Sequence, residues 1–242
     1  MSFGMFCAIP LPFHIWDDSC VDLLLPFFPL IGLLVGAAWW GVAELLLLSS
    51  IHIVLISAAL MTIPFLLTGF LHLDGYMDTN DAVLSRRPLQ DKLRILKDPH
   101  TGAFAVIMLG FLLVLQFGAM YAVIDVGKTL LPLIFISVVS RCCASISLLS
   151  MKIMPESGYA NMLRQNSRAG HRGFVIALLL ISVGLAYWFT GFAGLIIVGA
   201  VVLGYAGAMA YSRKEFKGVS GDLAGYSLVI SELCGLVALA IV

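Results

Sequence analysis

Long apolar stretches separated by short polar ones make up this chain from about residue 25 to its end. Each is long enough for the ~20 residues with which a helix crosses a bilayer core. The nearly unbroken run 173–212 exceeds one crossing, so we divide it at Thr190 and Gly191. The pattern predicts an all-α, polytopic helical integral membrane protein, with residues 1–242 forming a single transmembrane domain. The predicted spans are 25–48, 51–71, 103–124, 129–151, 173–190, 192–212 and 223–242.

The composition also indicates that the protein lies in a lipid bilayer. Hydrophobic residues are 61% of the chain and charged residues 12%, whereas a soluble domain has about 45–50% and 25%. Too few charges are present to coat a soluble globule, and the apolar content excludes a disordered chain. The net charge is zero, which argues against a nucleic-acid partner because such binding needs an excess of basic residues.

The few charges lie mainly between the spans. With seven spans, three segments fall on the side of the N-terminus, and we call them the loop segments: 72–102, 152–172 and 213–222. They contain twelve of the 14 basic residues, whereas the opposite side has only Lys128. The positive-inside rule predicts that the N-terminus and the loop segments are cytoplasmic. It also supports the span count, because one span more or fewer between two loop segments would place them on opposite sides of the membrane.

The strongest local signal for chemistry follows the second span, whose helix we expect to continue into it. Asp74, Asp78 and Asp81 are spaced by four and three residues, so at about 100° per residue they share an arc of about 60°. Three carboxylates on one face repel each other and need a counter-charge. A solvated helix end is the alternative, but unpaired charge is costly at a membrane boundary. The pattern favours Mg²⁺, which prefers oxygen ligands and keeps positions for water and substrate phosphates.

Two further parts of the loop segments suit an anionic substrate. Basic residues follow the aspartates at high density, which suits a phosphate-rich molecule, although topology alone also explains a basic cytoplasmic loop. In the last loop segment, Gly218 and Gly221 precede a helix and can turn backbone N–H groups toward an anion. Asp222 either caps that helix or joins the metal site. The basic residues are Arg86, Arg87, Lys92, Arg94 and Lys97 in the first segment, and Arg213, Lys214 and Lys217 in the last.

Apart from Glu44, which lies near the opposite boundary, two charged residues lie inside predicted spans, where they need partners. Arg141 and Glu232 are each within about three helical turns of the cytoplasmic boundary. They either line a cavity that opens on the site or form a structural ion pair with each other. The stretch 32–36, with glycine at both ends, is typical of a closely packed helix face.

These motifs resemble the cobalamin synthase family, the adenosylcobinamide-GDP ribazoletransferases, over essentially the whole chain. The family's hallmark block, His-Leu-Asp-Gly-x-x-Asp-Thr-x-Asp, is matched by residues 72–81. Its Phe-Pro-Leu-Ile-Gly entry to the first span is matched by 28–32, and its Gly-Val-Thr-Gly-Asp turn by 218–222, with Glu232 beyond it. Arg141 falls where members usually have a Gly-Arg pair. Departures include Ala82 for a usual glycine and Lys217 for the first glycine before the valine.

The resemblance implies a phosphoryl transfer in the last assembly step of cobalamin biosynthesis. Adenosylcobinamide-GDP and α-ribazole, or its 5′-phosphate, would give adenosylcobalamin, or its 5′-phosphate, with release of GMP. It implies Mg²⁺ held by Asp74, Asp78, Asp81 and Asp98, with Asp78 or Asp81 as the catalytic residue that takes the proton of the attacking hydroxyl. The implied substrate-binding residues are His72, Arg86, Arg87, Lys97, Arg141, Lys214, Lys217, Gly221, Asp222 and Glu232.

It also implies a bacterial or archaeal cell membrane, with the active site on the cytoplasmic face. Two other functions compete with this interpretation. A CDP-alcohol-type phosphotransferase for lipid head groups also uses aspartates at the boundary, but the Ala-Arg that usually follows its first Asp pair is absent. An ion-coupled transporter predicts charges near the middle of several spans, which are mostly bare. Nothing in the spans specifies a homo-oligomer or an association with other cobalamin-assembly enzymes, so both stay open.

Overall fold

A computed structural model describes residues 2–9, 17–155, 157–164 and 167–242. In these residues the chain is helical, with a 3-10 helix at Asp18–Leu23 and no β-strand. This confirms the all-α prediction. The α-helices are α1 (Ser2–Phe6), α2 (Leu24–Leu47), α3 (Ile53–Leu67), α4 (Leu71–Leu84), α5 (Leu89–Ile95), α6 (Ala103–Asp125), α7 (Pro132–Ser150), α8 (Gly158–Arg164), α9 (Ala169–Phe216) and α10 (Gly221–Ile241).

The centre of the fold is α7, which packs against α2, α9 and α10. Its side chains are buried almost throughout, whereas α6 at the periphery leaves Phe111 and Val114 62% and 70% exposed. Large exposed apolar side chains on an outer helix are what a lipid-facing surface requires. Within the described ranges, five helices are long and apolar enough to cross a membrane, and a bent pair, α3 with α4, is a sixth candidate. The chain is therefore a multi-pass membrane protein.

Glycines set the close approach of α2 to α7. A Cβ atom at Gly32 would lie 2.5 Å from the Ser137 carbonyl oxygen, and one at Gly36 would lie 2.7 Å from the Ile134 Cα. Any larger residue at either position would force the two helices apart. The prediction of a closely packed face on the first span is confirmed.

Helix α9 has 48 residues and would be about 72 Å long if it were straight, more than twice the ~30 Å thickness of a bilayer core. Gly191 interrupts it with non-helical dihedral angles, φ 63° and ψ −145°. A positive φ strongly favours glycine, because it has no Cβ atom to clash with the backbone. The break coincides with the predicted division. Counted as two spans, α9 brings the candidates to the predicted seven; counted as one, the total is six, so the number of spans stays a prediction.

The second span does not continue directly into the aspartate-rich helix, and this expectation was wrong. The chain bends by 92° between α3 and α4. Gly69 and Phe70 form the bend with φ angles of 58° and 62°, so two successive residues leave the right-handed helical region. Helix α4 is thus a separate element, and its three aspartates make it too polar to cross an apolar core by itself. We treat α4 as lying outside the membrane-spanning segments.

Contacts join the three loop segments at one end of the fold. The Met154 N–H donates to the Val219 carbonyl at 2.9 Å, and the Val219 N–H donates to the Lys152 carbonyl at 3.0 Å. These bonds form a short parallel bridge between the second and third segments. Lys92 of the first segment forms an ion pair with Glu215 of the third. The predicted shared face is therefore present, while its cytoplasmic orientation stays a prediction.

Candidate active site

Helix α4 presents its carboxylates on one side, as their spacing predicted. Asp74 lies in the first turn, where a negative charge is favourable next to the free N–H groups of the helix start. Asp74 is exposed, and Asp78 and Asp81 are partly buried. The opposite side of α4 is anchored by Tyr76, whose ring stacks on Tyr226 of α10 at 5.8 Å. This packing fixes which side of α4 faces outward.

The start of α10 brings a fourth carboxylate to α4. Ser220 caps α10 by accepting a hydrogen bond from the Leu223 N–H at 3.2 Å, so Asp222 is not needed as the cap. The two helices touch through their backbones, because a Cβ atom at Gly75 would lie 2.8 Å from the Asp222 carbonyl oxygen. Of the two roles open to Asp222, membership of the acidic site fits better. We call Asp74, Asp78, Asp81 and Asp222 the acidic cluster.

The charges of the acidic cluster are not neutralised by a neighbouring cation. Burial and the charges of Asp74, Asp222 and Asp81, in that order, raise the pKa of Asp78 to about 6. None of the ion pairs among the described residues includes a member of the cluster. Carboxylates that gather closely enough to raise the pKa of one of them, here Asp78, are typical of a site that binds a cation.

The carboxylates of the acidic cluster suit a hard divalent cation in charge and chemistry, although in this structure their oxygens do not point to one common position. In the described part of the chain, no three His, Cys, Asp or Glu residues stand close enough to hold a metal ion. The cluster nevertheless offers carboxylate oxygens, which Mg²⁺ prefers. Asp side chains one helical turn apart have Cβ atoms about 5–6 Å from each other, so rotation of these side chains can bring them onto one ion.

The turn before α6 lies directly against the Asp81 carboxylate. A Cβ atom at Gly102 would overlap the Asp81 carboxylate, so the glycine gives this side chain its room. Asp98, four residues earlier, is exposed and accepts hydrogen bonds from the His100 backbone N–H at 3.0 Å and from its ring. These bonds lower the pKa of Asp98. Asp98 is not among the carboxylates that raise the pKa of Asp78, and its role as a metal ligand stays a prediction.

The structure brings Arg141 and Glu232 into contact with each other. They form an ion pair between α7 and α10, and 1% and 4% of their surfaces are exposed. Arg141 also donates to the Ser137 carbonyl, and Ser140 donates to Glu232 at 3.1 Å. This is the structural pair that the sequence left open as an alternative, and their role in substrate binding stays a prediction.

His72 lies between this pair and the acidic cluster. It is buried, and no described partner binds its Nε2 atom. Burial, followed by the charge of Arg141, lowers the pKa of His72 to about 3, so the ring is neutral. Its backbone packs against α10, because a Cβ atom at Gly225 would lie 3.3 Å from the His72 Cα. An unpartnered buried imidazole beside an acidic site is a candidate ligand-binding group.

The predicted basic residues surround this end of the fold without contacting the cluster. Arg86, Arg87, Lys97, Lys214 and Lys217 are exposed, and none forms an ion pair among the described residues. Gly221 is also exposed, at the start of α10. Long exposed basic side chains remain free to reach a phosphate-rich substrate.

Sequence reasoning missed two residues that shape the site. Glu215 binds Lys92 and ties two loop segments together, and Ser220 caps α10 and so releases Asp222. The position of Ser220 before a run with Asp222 in its first turn is a recognisable capping signal. The link between Lys92 and Glu215, which are 123 residues apart, has no local signal.

Comparison with known proteins agrees with these features. A family model described as cobalamin-5-phosphate synthase matches residues 1–240. Three curated relatives are each named adenosylcobinamide-GDP ribazoletransferase. The one from Clostridium botulinum strain Alaska E43 is 38% identical over 98% of this chain and 94% of its own length. The one from Clostridium perfringens strain ATCC 13124 is 35% identical over 100% and 96%, and the one from Geobacillus kaustophilus 30% over 93% and 88%. No solved structure matches.

Proposed function

The chain belongs to the cobalamin-5-phosphate synthase family, and we propose that it transfers α-ribazole, or its 5′-phosphate, to adenosylcobinamide-GDP with release of GMP. The observation that carries this proposal is the family match over residues 1–240, which includes every member of the acidic cluster. Relatives that are 35–38% identical over nearly their whole length bear the name of this transferase. The product is adenosylcobalamin or its 5′-phosphate, formed in the last assembly step.

The reaction is a displacement at phosphorus. A hydroxyl oxygen of α-ribazole forms a bond to the phosphorus attached to cobinamide, and the bond from that phosphorus to the oxygen of GMP breaks. GMP leaves with the electron pair, and the hydroxyl loses its proton to a base. Such a transfer depends on in-line positioning and on neutralising negative charge rather than on a covalent enzyme intermediate.

Each part of the site has a task in this scheme. Asp78 or Asp81 accepts the proton of the attacking hydroxyl. The exposed Arg and Lys residues of the loop segments hold phosphate oxygens. The α10 start, with Ser220 as its cap, leaves backbone N–H groups near the site that also favour an anion.

Magnesium dependence is part of the proposal. Asp74, Asp78, Asp81 and Asp222 would hold Mg²⁺, with Asp98 as a further ligand from the neighbouring turn. Bound Mg²⁺ would neutralise the charge of the diphosphate and of the leaving phosphate. The uncompensated charge of the acidic cluster supports this assignment, because a divalent cation removes the mutual repulsion that raises the pKa of Asp78.

The active site would face the cytoplasm. The loop segments carry twelve of the 14 basic residues, and the positive-inside rule assigns such segments to that side. A protease-protection experiment on oriented vesicles tests this part separately from the chemistry, since cleavage in the loop segments requires that they face the protease.

The activity is tested with the protein in purified membranes or detergent. Supplied with adenosylcobinamide-GDP, α-ribazole and Mg²⁺, it should release GMP and form one cobalamin product per GMP. Chelation of Mg²⁺ should stop the release, and re-addition should restore it. No product under conditions where a known family member is active would contradict the proposed transferase, whereas turnover that persists with chelator would contradict only the magnesium assignment.

A further inference from the structure

An apolar cavity of about 130 Å³ lies beside the acidic cluster. It is enclosed by α1, α2, α4, α7, α8 and α10, and Ala144, Leu148, Ala160 and Leu163 are among the side chains that line it. At its polar end it is lined by His72, Gly221 and Asp222. The cavity therefore extends from apolar side chains inside the helix bundle to Asp222 of the acidic cluster, where the reacting phosphate would bind.

Three aromatic rings form one wall of this cavity. Phe6 contacts Phe28 with ring centroids 4.5 Å apart, and Phe28 meets the edge of His72 at 5.6 Å. All three rings line the cavity. A wall of this kind suits a planar aromatic ligand, because rings pack on one another through stacked or edge-to-face contacts.

The one polar ring in that wall is incompletely bonded. Only 7% of the surface of His72 is exposed, and its Nε2 has no hydrogen-bond partner among the described residues. A buried polar atom without a hydrogen bond is costly, and such an atom at a cavity wall indicates a ligand that supplies the bond. An imidazole nitrogen forms such a bond with a polar atom of a ligand ring.

We propose that this cavity is the acceptor subsite, which takes the planar, uncharged, methylated benzimidazole of α-ribazole, with His72 bonding to its imidazole ring. This inference rests on the proposed function. The methyl-bearing ring enters among the aliphatic side chains, and the imidazole ring stays at the polar end. The ribose, attached to an imidazole nitrogen, then emerges beside Asp222, and its hydroxyl reaches the acidic cluster.

The size and lining of the cavity favour this occupant. A cavity of about 150 Å³ lined by apolar side chains binds benzene, so about 130 Å³ admits one six-membered ring and leaves the second ring at the polar end. A guanine base would bury several polar edges against aliphatic carbon, which is unfavourable. The bulky corrinoid does not fit. Among the groups that the two substrates carry, the methylated benzimidazole matches best.

The subsite is tested by filling the cavity and measuring each substrate separately. Ala144→Leu adds bulk to the α7 wall, where Ala144 is 2% exposed. It should raise the KM for α-ribazole about tenfold, raise the KM for the analogue with unmethylated benzimidazole less, and leave the KM for adenosylcobinamide-GDP unchanged. Ala119→Leu is the matched control, because Ala119 is similarly buried in α6 but does not line the cavity.

Equal changes for both acceptors, or the same KM values in Ala144→Leu and Ala119→Leu, would overturn the subsite. If Ala144→Leu fails to fold, Ala160→Leu on the short helix α8 applies the same test away from the spans. A tightly bound acyl chain that is lost from Ala144→Leu, with no change in the KM for α-ribazole, would also overturn it and assign the cavity to lipid.

Equilibrium dialysis of α-ribazole alone, without donor or Mg²⁺, separates this inference from the transferase proposal. Wild type should bind α-ribazole, and Ala144→Leu should bind it about tenfold more weakly. Wild type that binds α-ribazole but releases no GMP would contradict the proposed function and leave the subsite supported. Wild type that releases GMP while the variant binds α-ribazole normally would contradict the subsite alone.

Discussion

Two groups of charges in this apolar protein differ in one respect. Arg141 and Glu232 neutralise each other inside the bundle and have Ser137 and Ser140 as further hydrogen-bond partners. The acidic cluster has four charges of one sign at the edge of the bundle, without an ion-pair partner among the described residues. The charges of the ion pair balance each other within the chain, although the Arg141 Nε has no hydrogen-bond partner among the described residues. The charges of the cluster have no such balance among these residues.

This difference separates a structural role from a functional one. A buried ion pair contributes to folding only as long as both partners remain. A cluster of like charges destabilises the protein until a cation or substrate binds, so stability does not explain its presence. The predictions below follow from that difference, beginning with the largest effect.

Asp78→Asn should lower GMP release about a thousandfold, because it removes a proposed metal ligand and candidate base from the cluster. The melting temperature in detergent should stay the same or rise, since the change removes one of the mutually repelling charges that raise the pKa of Asp78. Asp91→Asn is the control, because Asp91 lies on α5 and its side chain pairs with the exposed Arg94. Near-normal turnover in Asp78→Asn would remove Asp78 from the site.

Glu232→Ala should destabilise the protein by about 3–5 kcal/mol, because it leaves the Arg141 cation buried without its partner. Thermal melting in detergent measures the loss. The double variant Arg141→Met with Glu232→Leu should recover most of the stability and keep turnover within about tenfold of wild type. A double variant that is stable but inactive would instead show that the pair binds substrate.

Gly75→Ala should cost about 1–3 kcal/mol and lower turnover, because the new Cβ atom would lie 2.8 Å from the Asp222 carbonyl oxygen. A backbone atom cannot move aside by rotating about a bond, as a side-chain atom can. Helices α4 and α10 must therefore move apart, which increases the distance between Asp222 and the other carboxylates of the cluster. Gly110→Ala is the matched control, since a Cβ atom there has nothing within 4 Å. If the two variants behave alike, the close contact of α4 with α10 is not needed for activity.

Lys92→Gln should cost about 1 kcal/mol, and Arg94→Gln a few tenths. Lys92 is 10% exposed in its ion pair with Glu215, whereas Arg94 is 83% exposed in its pair with Asp91, where water screens the attraction. Chemical denaturation of both variants gives the two values. A larger loss for Arg94→Gln would contradict the expectation that the more buried ion pair contributes more to stability.

The sequence predicted the features that depend on local pattern. Apolar runs located the spans, the break at Gly191 followed from the length of one run, and the spacing of the aspartates in α4 gave their common side. The 92° bend before α4 was not predicted. Only Thr68 and Gly69 interrupt the apolar run there, the run is short enough for one span, and Phe70 in a positive-φ conformation has no signature in composition.

The remaining site features depend on packing between distant parts of the chain. The choice of Arg141 between Glu232 and a substrate was open in the sequence, because both outcomes require the same residues in the same spans. The touching of α4 and α10 at Gly75 and Asp222 is set by the arrangement of several helices. Such contacts follow from the whole core and have no local pattern.

Direct measurement of metal binding tests the central claim, that the acidic cluster is incomplete without a divalent cation. Calorimetric titration of Mg²⁺, or paramagnetic resonance with Mn²⁺ in its place, should show binding to wild type and to the Arg141→Met, Glu232→Leu double variant. Asp78→Asn should bind at least about tenfold more weakly. Equal binding by wild type and Asp78→Asn, or binding lost only with the Arg141 and Glu232 pair, would contradict the account.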